Sequence, residues 1–383
     1  MIFRILEDQY ADKIHQAKAA DLRFMQLALS LGRRGQGRTA PNPAVGAVIV
    51  KDGVIVGRGW TQPGGRPHAE IEALNRAGLA ARGATLYVTL EPCSHHGKTP
   101  PCADAVIAAG LARVVSAIED PNPQVAGQGH ARLRAAGIRV DVGLGAAEAA
   151  HDHAGHFRRV RDGRPHVILK LAVSSDDKIA ATPGQPTAIT GEAARARVHL
   201  LRAQCDAILI GIRTALADDP LLTCRLPGME KRSPVRVVLD RALRLPGDSR
   251  LVHSARSTPL WLLASEIAEA AAAAKLGAAG AQIIHVADCD AMPGLDLPAV
   301  LQALAGNGIT RLLVEGGARV ASSLVAADLV DEVWLLRGAM TIGEGGVAAL
   351  DGLPLSVITA AAAFKIRTSE TLGPDSLTIY ERS

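Results

Sequence analysis

The 383-residue chain has few aromatic residues, 3% of the total against 48% hydrophobic residues, so small aliphatic side chains must fill its interior. Five cysteines in a chain of this length, without a pairing frame, favour a reducing compartment over a disulfide-linked scaffold. No run of eighteen apolar residues occurs, and the first residues lack the pattern of a signal peptide. These absences predict a cytoplasmic protein that does not interact with membranes.

Long basic clusters are also absent, although the net charge is +4. Without a basic stripe, and with aromatic side chains this scarce, the chain offers no stacking platform for bases, so we expect no nucleic-acid partner. Phosphorylated small molecules are the anionic partners that the mild positive charge favours. The length exceeds the roughly 100 to 200 residues of a typical domain and predicts two domains.

Two short segments carry metal-binding side chains: His68-Ala69-Glu70, and the stretch from Pro92 to Cys102. One imidazole (His68) and two thiolates (Cys93, Cys102) suit Zn²⁺ and leave its fourth position open for water. Glu70 would then be a base rather than a ligand. Zinc deaminases pair a His-x-Glu segment with Pro-Cys-x-x-Cys, whereas eight residues separate the cysteines here. Ordinary cysteines beside unrelated histidines are the alternative, but the joint pattern favours a catalytic zinc site.

The first half alternates helical and strand patterns, which predicts a three-layer α/β sandwich. Residues 1–20 are weakly patterned and are assigned to an N-terminal extension. From Asp21, apolar residues at helical spacing predict a helix that ends near Gly32, with Asp21 as its N-cap. A hairpin is expected over 44–57, strands over 84–90 and 112–118, and a helix that Cys102 opens.

Three histidines, His151, His153 and His156, precede the expected domain boundary. Their spacing is as compatible with a solvated helix or linker as with a metal site, and we favour the solvated segment. Gly163-Arg164-Pro165 then marks the boundary between a first domain at 21–163 and a second at 164–383.

The second half again alternates apolar strands with alanine-rich helical segments, which predicts a second α/β domain. Strands are expected over 167–173, 206–211, 235–240, 259–263, 282–286 and 311–314. After the last of these, Glu315-Gly316-Gly317 leads from a strand into a helix, a geometry that lets backbone amides approach a phosphate.

Together these motifs resemble the bifunctional deaminase/reductase family of riboflavin biosynthesis. The deaminase half is matched by Pro41-Asn42-Pro43, by His68-Ala69-Glu70, and by the stretch from Pro92 to Cys102, whose eight-residue spacing is the family's own. The reductase half is matched, in order, by Lys170-Leu171-Ala172, Leu201-Arg202-Ala203, the stretch from Thr214 to Thr223, and Glu315-Gly316-Gly317.

For the first domain the resemblance implies a cytidine-deaminase-like three-layer sandwich with Zn²⁺ on His68, Cys93 and Cys102. Glu70 would move protons during hydrolytic deamination of a phosphorylated pyrimidine. The implied substrate contacts are Asn42, His95, Lys98, Asp120 and Asn122.

For the second domain the resemblance implies a dihydrofolate-reductase-like α/β fold in which NADPH reduces the ribosyl group of the deaminated pyrimidine to a ribityl chain. The implied cofactor contacts are Ala172, Thr214, Asp218, Gly317, Ala318, Arg319, Val320, Ala321, Ser322 and Ser323. The implied substrate contacts are Arg202, Leu222, Arg225 and Glu315, among which a guanidinium suits the substrate phosphate. A homo-oligomer, dimer or larger, is also implied.

Several positions depart from the family pattern. Pro186 and Ala188 replace a serine and a tryptophan, Asp177 replaces a glycine, and Arg241 stands where a serine is common. Arg241 either favours the 2′-phosphate of the cofactor or is a solvated arginine. These changes leave open a second hypothesis, a deaminase whose C-terminal domain binds nucleotide or substrate without reducing it. A third, a nucleic-acid-editing deaminase, conflicts with the scarcity of aromatic residues and basic stripes.

Overall fold

A computed structural model describes residues 2–97, 99–182, 184–185, 187–290 and 294–383, with side chains from residue 18 onward. The chain folds as two compact units, residues 1–162 and 163–383. Across the described residues, no helix is both long enough and apolar enough to span a bilayer.

The N-terminal unit is built around a five-stranded sheet with the strand order β2-β1-β3-β4-β5. Strand β1 is antiparallel to β2 and β3, whereas β3, β4 and β5 are parallel. The elements are α1 (Ile2–Arg33), β1 (Gly46–Lys51), β2 (Val54–Trp60), α2 (Ala69–Ala77), β3 (Thr85–Val88), α3 (Cys102–Ala108), β4 (Arg113–Ser116), α4 (Gln128–Ala135), β5 (Arg139–Val142), α5 (Ala146–Asp152) and α6 (Ala154–Asp162).

Both faces of this sheet are covered. Successive side chains of a strand point to opposite faces, so Ala47 and Ile49 of β1 join a core with α2, α3 and α4, while Val48 and Val50 join a second core with α1 and α5. The three-layer α/β sandwich predicted from the sequence is therefore confirmed.

The first helix differs from its expected form. It begins at Ile2 rather than at Asp21, so Asp21 is not an N-cap. Its carboxylate instead accepts two hydrogen bonds from the Arg113 guanidinium on β4, at 3.0 and 2.7 Å. An acidic residue before an apolar helical pattern is a good capping signal, but here a long-range ion pair explains the residue.

The C-terminal unit is built around a nine-stranded sheet with the order β11-β10-β9-β8-β12-β6-β13-β16-β15. The elements are β6 (His166–Val173), β7 (Lys178–Ala180), α7 (Glu192–Gln204), β8 (Ala207–Gly211), α8 (Ile212–Asp218), β9 (Val235–Leu239), α9 (Arg250–His253), β10 (Leu260–Ser265), α10 (Ala270–Ala278), β11 (Gln282–Val286), α11 (Leu297–Gly306), β12 (Arg311–Gly316), α12 (Ala318–Ala326), β13 (Glu332–Arg337), β14 (Val347–Ala348), α13 (Ser356–Thr359), β15 (Phe364–Leu372) and β16 (Asp375–Arg382).

The strands from β11 to β13 in this order are parallel, and β16 and β15 extend the sheet in antiparallel fashion. Alternating residues of β6 separate into two cores, with Val167 and Leu169 on one face and Ile168 on the other. The parallel strands all end at one edge, where open α/β sheets place their ligands. The segments that follow β8, β9 and β12 therefore begin at that edge, and Thr214 after β8 contacts Gly317 after β12.

Candidate functional site

Three side chains in the N-terminal unit converge as a metal-binding group. The ligand atoms of His68, Cys93 and Cys102 all lie within 4.8 Å of one another. His68 Nδ1 lies 3.3 Å from Cys102 Sγ and 3.8 Å from Cys93 Sγ. His68 immediately precedes α2, Cys93 follows β3, and Cys102 opens α3, so three separate elements supply the ligands.

The chemistry of this donor set fits zinc. The neighbouring Cys102 and His68 side chains lower the pKa of the Cys93 thiol to about 4 even though burial opposes ionisation. The backbone N–H of Cys102 also donates to Cys93 Sγ, at 3.2 Å. One imidazole and two thiolates leave a fourth tetrahedral position for water or substrate, as in catalytic zinc sites.

Glu70 lies in the first turn of α2, two residues after His68, with 3% of its surface exposed. Burial raises the pKa of this carboxyl to about 7, against the opposing effect of His68. A carboxyl group in this environment is suited to accept and release protons near neutral pH.

The predicted substrate contacts of this unit that the structure describes lie outside its helices and strands. Asp120 and Asn122 follow β4, the parallel neighbour of β3, and the backbone N–H of Asn122 donates to Asp120 Oδ1 at 2.9 Å. Asn42 Nδ2 donates to the carbonyl of Gly65 at 2.7 Å. His95 is exposed, and Lys98 lies outside the described residues.

Sequence reasoning missed Glu91, which links the segment after β3 to the segment after β4. This buried carboxylate accepts hydrogen bonds from the backbone N–H groups of Asp120, Gly127 and His130, at 3.2, 3.0 and 3.1 Å. Among the described residues, Glu91, Glu119 and His130 form the other group of clustered metal-ligand atoms, but the three backbone donors already occupy Glu91. An acidic residue at the end of an apolar strand was the available signal.

The interpretation of His153 and His156 as part of a solvated segment is wrong. His156 Nε2 lies 3.0 and 3.2 Å from the two carboxylate oxygens of Asp120. His153 is 2% exposed, and its Nε2 lies 3.1 Å from Thr89 Oγ1. Phe157 of α6 packs into the core of this unit, and this packing turns both histidines inward.

In the C-terminal unit, the predicted substrate residues Arg202 and Glu315 form a buried ion pair. Arg202 Nε and Nη2 donate to the two Glu315 oxygens at 2.7 and 2.9 Å, and Nη1 donates to the carbonyl of Thr223 at 3.1 Å. Lys170 Nζ lies 3.9 Å from Glu315 Oε2. Burial opposes ionisation of Glu315, but Arg202 and Lys170 lower its pKa to about 2.

The other two predicted substrate residues lie on the loop that Arg202 contacts. Leu222 is buried in a left-handed backbone conformation with φ 55°. Arg225 is exposed, and its backbone N–H donates to His199 Nδ1 at 3.3 Å. Its guanidinium is therefore more accessible to a phosphate than that of Arg202.

The predicted cofactor residues lie on α8, on β6 and on α12 with its N-cap. Gly317 is the N-cap of this helix, and its backbone N–H donates to Thr214 Oγ1 on α8 at 3.1 Å. A Cβ on Gly317 would lie 2.9 Å from that hydroxyl, so glycine permits the close approach. Asp218 ends α8 and Ala172 lies on β6. The remaining predicted contacts, Ala318, Arg319, Val320, Ala321, Ser322 and Ser323, lie on α12.

Two of the departures from the family pattern acquire a structural context. Asp177 adopts φ 63° and pairs with Arg337 at 2.7 Å; a glycine is favoured in that backbone region. Arg241, after β9, donates from Nε and Nη2 to the Asp288 oxygens at 2.7 and 2.8 Å. It is therefore paired rather than simply solvated. Ala188 is exposed, and Pro186 lies outside the described residues.

Both units match known families. Residues 18–118 match the model of the cytidine and deoxycytidylate deaminase zinc-binding region. Residues 165–378 match the model of the RibD C-terminal domain.

Full-length relatives cover nearly the whole chain. The riboflavin biosynthesis protein RibD of Escherichia coli is 42% identical over 366 residues, which span 92% of this chain and 96% of the relative. The RibD protein of Aquifex aeolicus is 38% identical over 362 residues, 94% of this chain and 98% of the relative.

Solved structures agree with both domain folds predicted from the sequence. Acinetobacter baumannii RibD superimposes with a TM-score of 0.84 at 34% identity, covering 96% of this chain and 99% of that one. The diaminohydroxyphosphoribosylaminopyrimidine deaminase/5-amino-6-(5-phosphoribosylamino)uracil reductase of Thermotoga maritima gives a TM-score of 0.83 at 35% identity, with 96% and 100% covered.

Proposed function

Because this chain belongs to the RibD family of riboflavin biosynthesis proteins, we propose that it acts on 2,5-diamino-6-ribosylamino-4(3H)-pyrimidinone 5′-phosphate. The chain is a bifunctional enzyme, a zinc-dependent deaminase and an NADPH-dependent reductase. In the proposed sequence, hydrolytic deamination of the pyrimidine precedes reduction of its ribosyl group to a ribityl chain. The convergence of His68, Cys93 and Cys102 beside the buried Glu70 carries the first step.

In the deaminase unit, His68, Cys93 and Cys102 would hold a zinc ion, which would supply an activated water with a pKa lowered to roughly 7. Glu70 takes up the two protons of the attacking water one after the other and delivers one to the ring nitrogen and the other to the departing amino group, which leaves as ammonia. A positioned acid–base group of this kind contributes a factor of about 10² to 10⁴ to the rate. The burial of Glu70 keeps bulk water from competing for those protons.

Recognition of the pyrimidine phosphate is assigned to the loops around the metal group. Asn42, Asp120 and Asn122 present amide and carboxylate groups that can hydrogen-bond to the ring and its substituents. His95 and Lys98, in the stretch between the two cysteines, supply cationic or donor groups for the phosphate.

In the reductase unit, the residues at the start of α12 would hold NADPH, which would supply the hydride. The backbone amides that follow Gly317, in a helix N-terminus next to Thr214, are suited to the pyrophosphate. The remaining cofactor contacts are Ala172, Asp218, Ala318, Arg319, Val320, Ala321, Ser322 and Ser323.

The ribosyl substrate would be held by Arg202, Leu222, Arg225 and Glu315. Arg202 is already committed to Glu315 and to the Thr223 carbonyl, so the exposed Arg225 is the proposed partner of the substrate phosphate. The Arg202–Glu315 pair then fixes the wall against which the sugar lies.

The division of the chain follows the two activities. We assign residues 21–163 to the deaminase domain, 164–383 to the reductase domain and 1–20 to an N-terminal extension. The proposed enzyme is a cytoplasmic homo-oligomer, a dimer or larger, with no nucleic-acid partner.

Purified protein incubated with the diaminopyrimidine phosphate, with and without NADPH, tests the proposal. We expect ammonia release in both cases and NADPH oxidation only after deamination. Removal of zinc with a chelator should abolish ammonia release but leave NADPH oxidation intact when the deaminated intermediate is supplied. Ammonia release without any NADPH oxidation would favour a deaminase with a non-reducing C-terminal domain, and absence of ammonia release would contradict the assignment.

A further inference from the structure

We propose that His156 is a positioning residue for the deaminase, one that holds the Asp120 carboxylate in the orientation that binds the pyrimidine. This inference rests on the proposed deaminase function. It concerns substrate recognition and leaves the zinc chemistry to the residues already described.

The contact itself is specific. His156 Nε2 lies within hydrogen-bonding distance of both Asp120 oxygens, at 3.0 and 3.2 Å, although the two residues are 36 positions apart. Their side chains are only 10% and 9% exposed. Exposed ion pairs contribute little, whereas a shielded and well-oriented pair restricts both partners.

Asp120 is fixed from several sides, and His156 is the side-chain partner. The backbone N–H of Asn122 donates to Asp120 Oδ1 at 2.9 Å, and the backbone of Asp120 is held by Glu91. Burial would raise the pKa of Asp120, but the hydrogen bond and charge of His156 outweigh it and the pKa is lowered. Asp120 is thus kept as an acceptor carboxylate in the loop after β4, the parallel neighbour of the strand that precedes Cys93.

The helix that carries His156 is itself anchored. Phe157, the next residue, is part of the core that α2, α3 and α4 form with one face of the sheet. Immediately before this helix, His153 contacts Thr89, whose hydroxyl also accepts the backbone N–H of Gly46 on β1. The imidazole of His156 therefore approaches Asp120 from a rigid element, as precise positioning requires.

The pair lies beyond the part of the chain that zinc deaminases share. The zinc-binding region matches residues 18–118, which contain His68, Glu70, Cys93 and Cys102. Both Asp120 and His156 follow that region. We therefore assign the pair to recognition of this substrate, and its loss should weaken binding without removing zinc.

The test replaces His156 with leucine, which removes the hydrogen bond, and with glutamine, which retains an N–H donor. Loss of a charge-assisted hydrogen bond should raise KM for the pyrimidine phosphate on the order of 10- to 100-fold in His156→Leu, with His156→Gln recovering part of the loss. Zinc content should stay near that of the wild type, and circular dichroism confirms that each variant is folded at the assay temperature. His151→Leu, in the neighbouring helix α5, is the matched control and should leave KM unchanged.

A double-mutant cycle separates positioning from a purely structural role. Substrate Kd is measured in the non-hydrolysing Glu70→Gln background with Asp120→Ala, His156→Leu and both changes. If His156 acts through Asp120, His156→Leu adds nothing once Asp120 is gone. The inference would be overturned if the Asp120→Ala and His156→Leu changes raised Kd by independent factors that multiply in the double variant. A wild-type KM in both His156 variants would also overturn it. An inactive wild type would instead overturn the proposed deaminase function.

Discussion

Arg202 and Glu315, 113 positions apart in the chain, meet as a two-point ion pair with N–O distances of 2.7 and 2.9 Å. Their side chains are 13% and 7% exposed, and Lys170 lies 3.9 Å from the same carboxylate. Burying charges costs several kcal/mol per ion unless each is paired. Loss of either Arg202 or Glu315 should therefore leave a buried charge in the reductase unit without its partner.

We expect Glu315→Gln to destabilise the protein by about 3 to 5 kcal/mol, because it leaves Arg202 buried without its counter-ion. The exposed Glu344→Gln is the matched control and should change little. Denaturant unfolding followed by tryptophan fluorescence measures the difference. An equal stability for both variants would show that the pair contributes nothing.

Because of the same ion pair, we expect the free energy of unfolding to depend on pH. The pKa of Glu315 is lowered from its ordinary 4.5 to about 2, so the stabilisation is fully present above the ordinary value and is lost as pH falls through the folded value. The gap in unfolding free energy between wild type and Glu315→Gln should narrow from about pH 5 to about pH 3. A gap that stays constant over this range would contradict the assignment.

Glu70→Gln should retain zinc and reduce deamination by about 10²- to 10⁴-fold, because the amide cannot carry protons. Metal content and ammonia release are measured on the same preparation. Glu72→Gln is the matched control: Glu72 lies on the same helix, where its Oε2 is 3.4 Å from Arg76 Nη2. Unchanged turnover in Glu70→Gln would remove its role as the proton carrier.

From the Arg241–Asp288 pair we predict that Arg241 favours NADPH over NADH. Arg241 follows β9, at the same sheet edge as Gly317 after β12, with β8 between the two strands. An arginine at this edge accommodates the 2′-phosphate of NADPH. Arg241→Ser should raise KM for NADPH on the order of 10-fold and leave that for NADH unchanged.

Asp288→Asn tests the other half of the pair. The carboxylate competes with the 2′-phosphate for the Arg241 guanidinium, so its neutralisation should lower KM for NADPH. Steady-state kinetics with both nucleotides measure the ratio. If KM changes equally for NADPH and NADH in either variant, Arg241 does not read the 2′-phosphate.

The left-handed backbone conformation of Asp177 and its ion pair with Arg337 have opposite effects on stability. A residue with a Cβ in the left-handed region costs roughly 1 to 2 kcal/mol relative to glycine, whereas an exposed ion pair such as that with Arg337 contributes about 0 to 1 kcal/mol. Asp177→Gly should therefore be as stable as the wild type or more stable by up to about 2 kcal/mol. Asp177→Ala keeps the backbone strain without the ion pair and should be less stable than Asp177→Gly by about 1 kcal/mol. Thermal unfolding compares them, and equal values for the two variants would argue against strain.

The zinc ligands could be predicted from the sequence because each lies in a short motif. His68 and Glu70 are two residues apart, and Cys93 and Cys102 belong to one loop. Parallel strands place their ends at one edge, so the strand pattern also brought Asp120 to the neighbourhood of Cys93. The role of Glu91 needed the folded loop, since its partners are backbone groups.

Residues whose partners are distant in the chain were misread. His153 and His156 have the spacing of a solvated segment, yet the packing of Phe157 turns them towards Thr89 and Asp120. Asp21 has the position of a helix cap, yet it pairs with Arg113. Periodicity records which face of an element is apolar, and it carries no information about which polar side chain meets which.

The sequence by itself determined the metal donors, the order of the two α/β domains and the glycine turn before α12, because local spacing and strand periodicity encode them. Only the tertiary structure decided that Arg202 neutralises Glu315, that Arg241 is held by Asp288 and that His156 reaches Asp120. These pairings join residues from different elements, and their strength depends on burial, which exists only once the layers have packed.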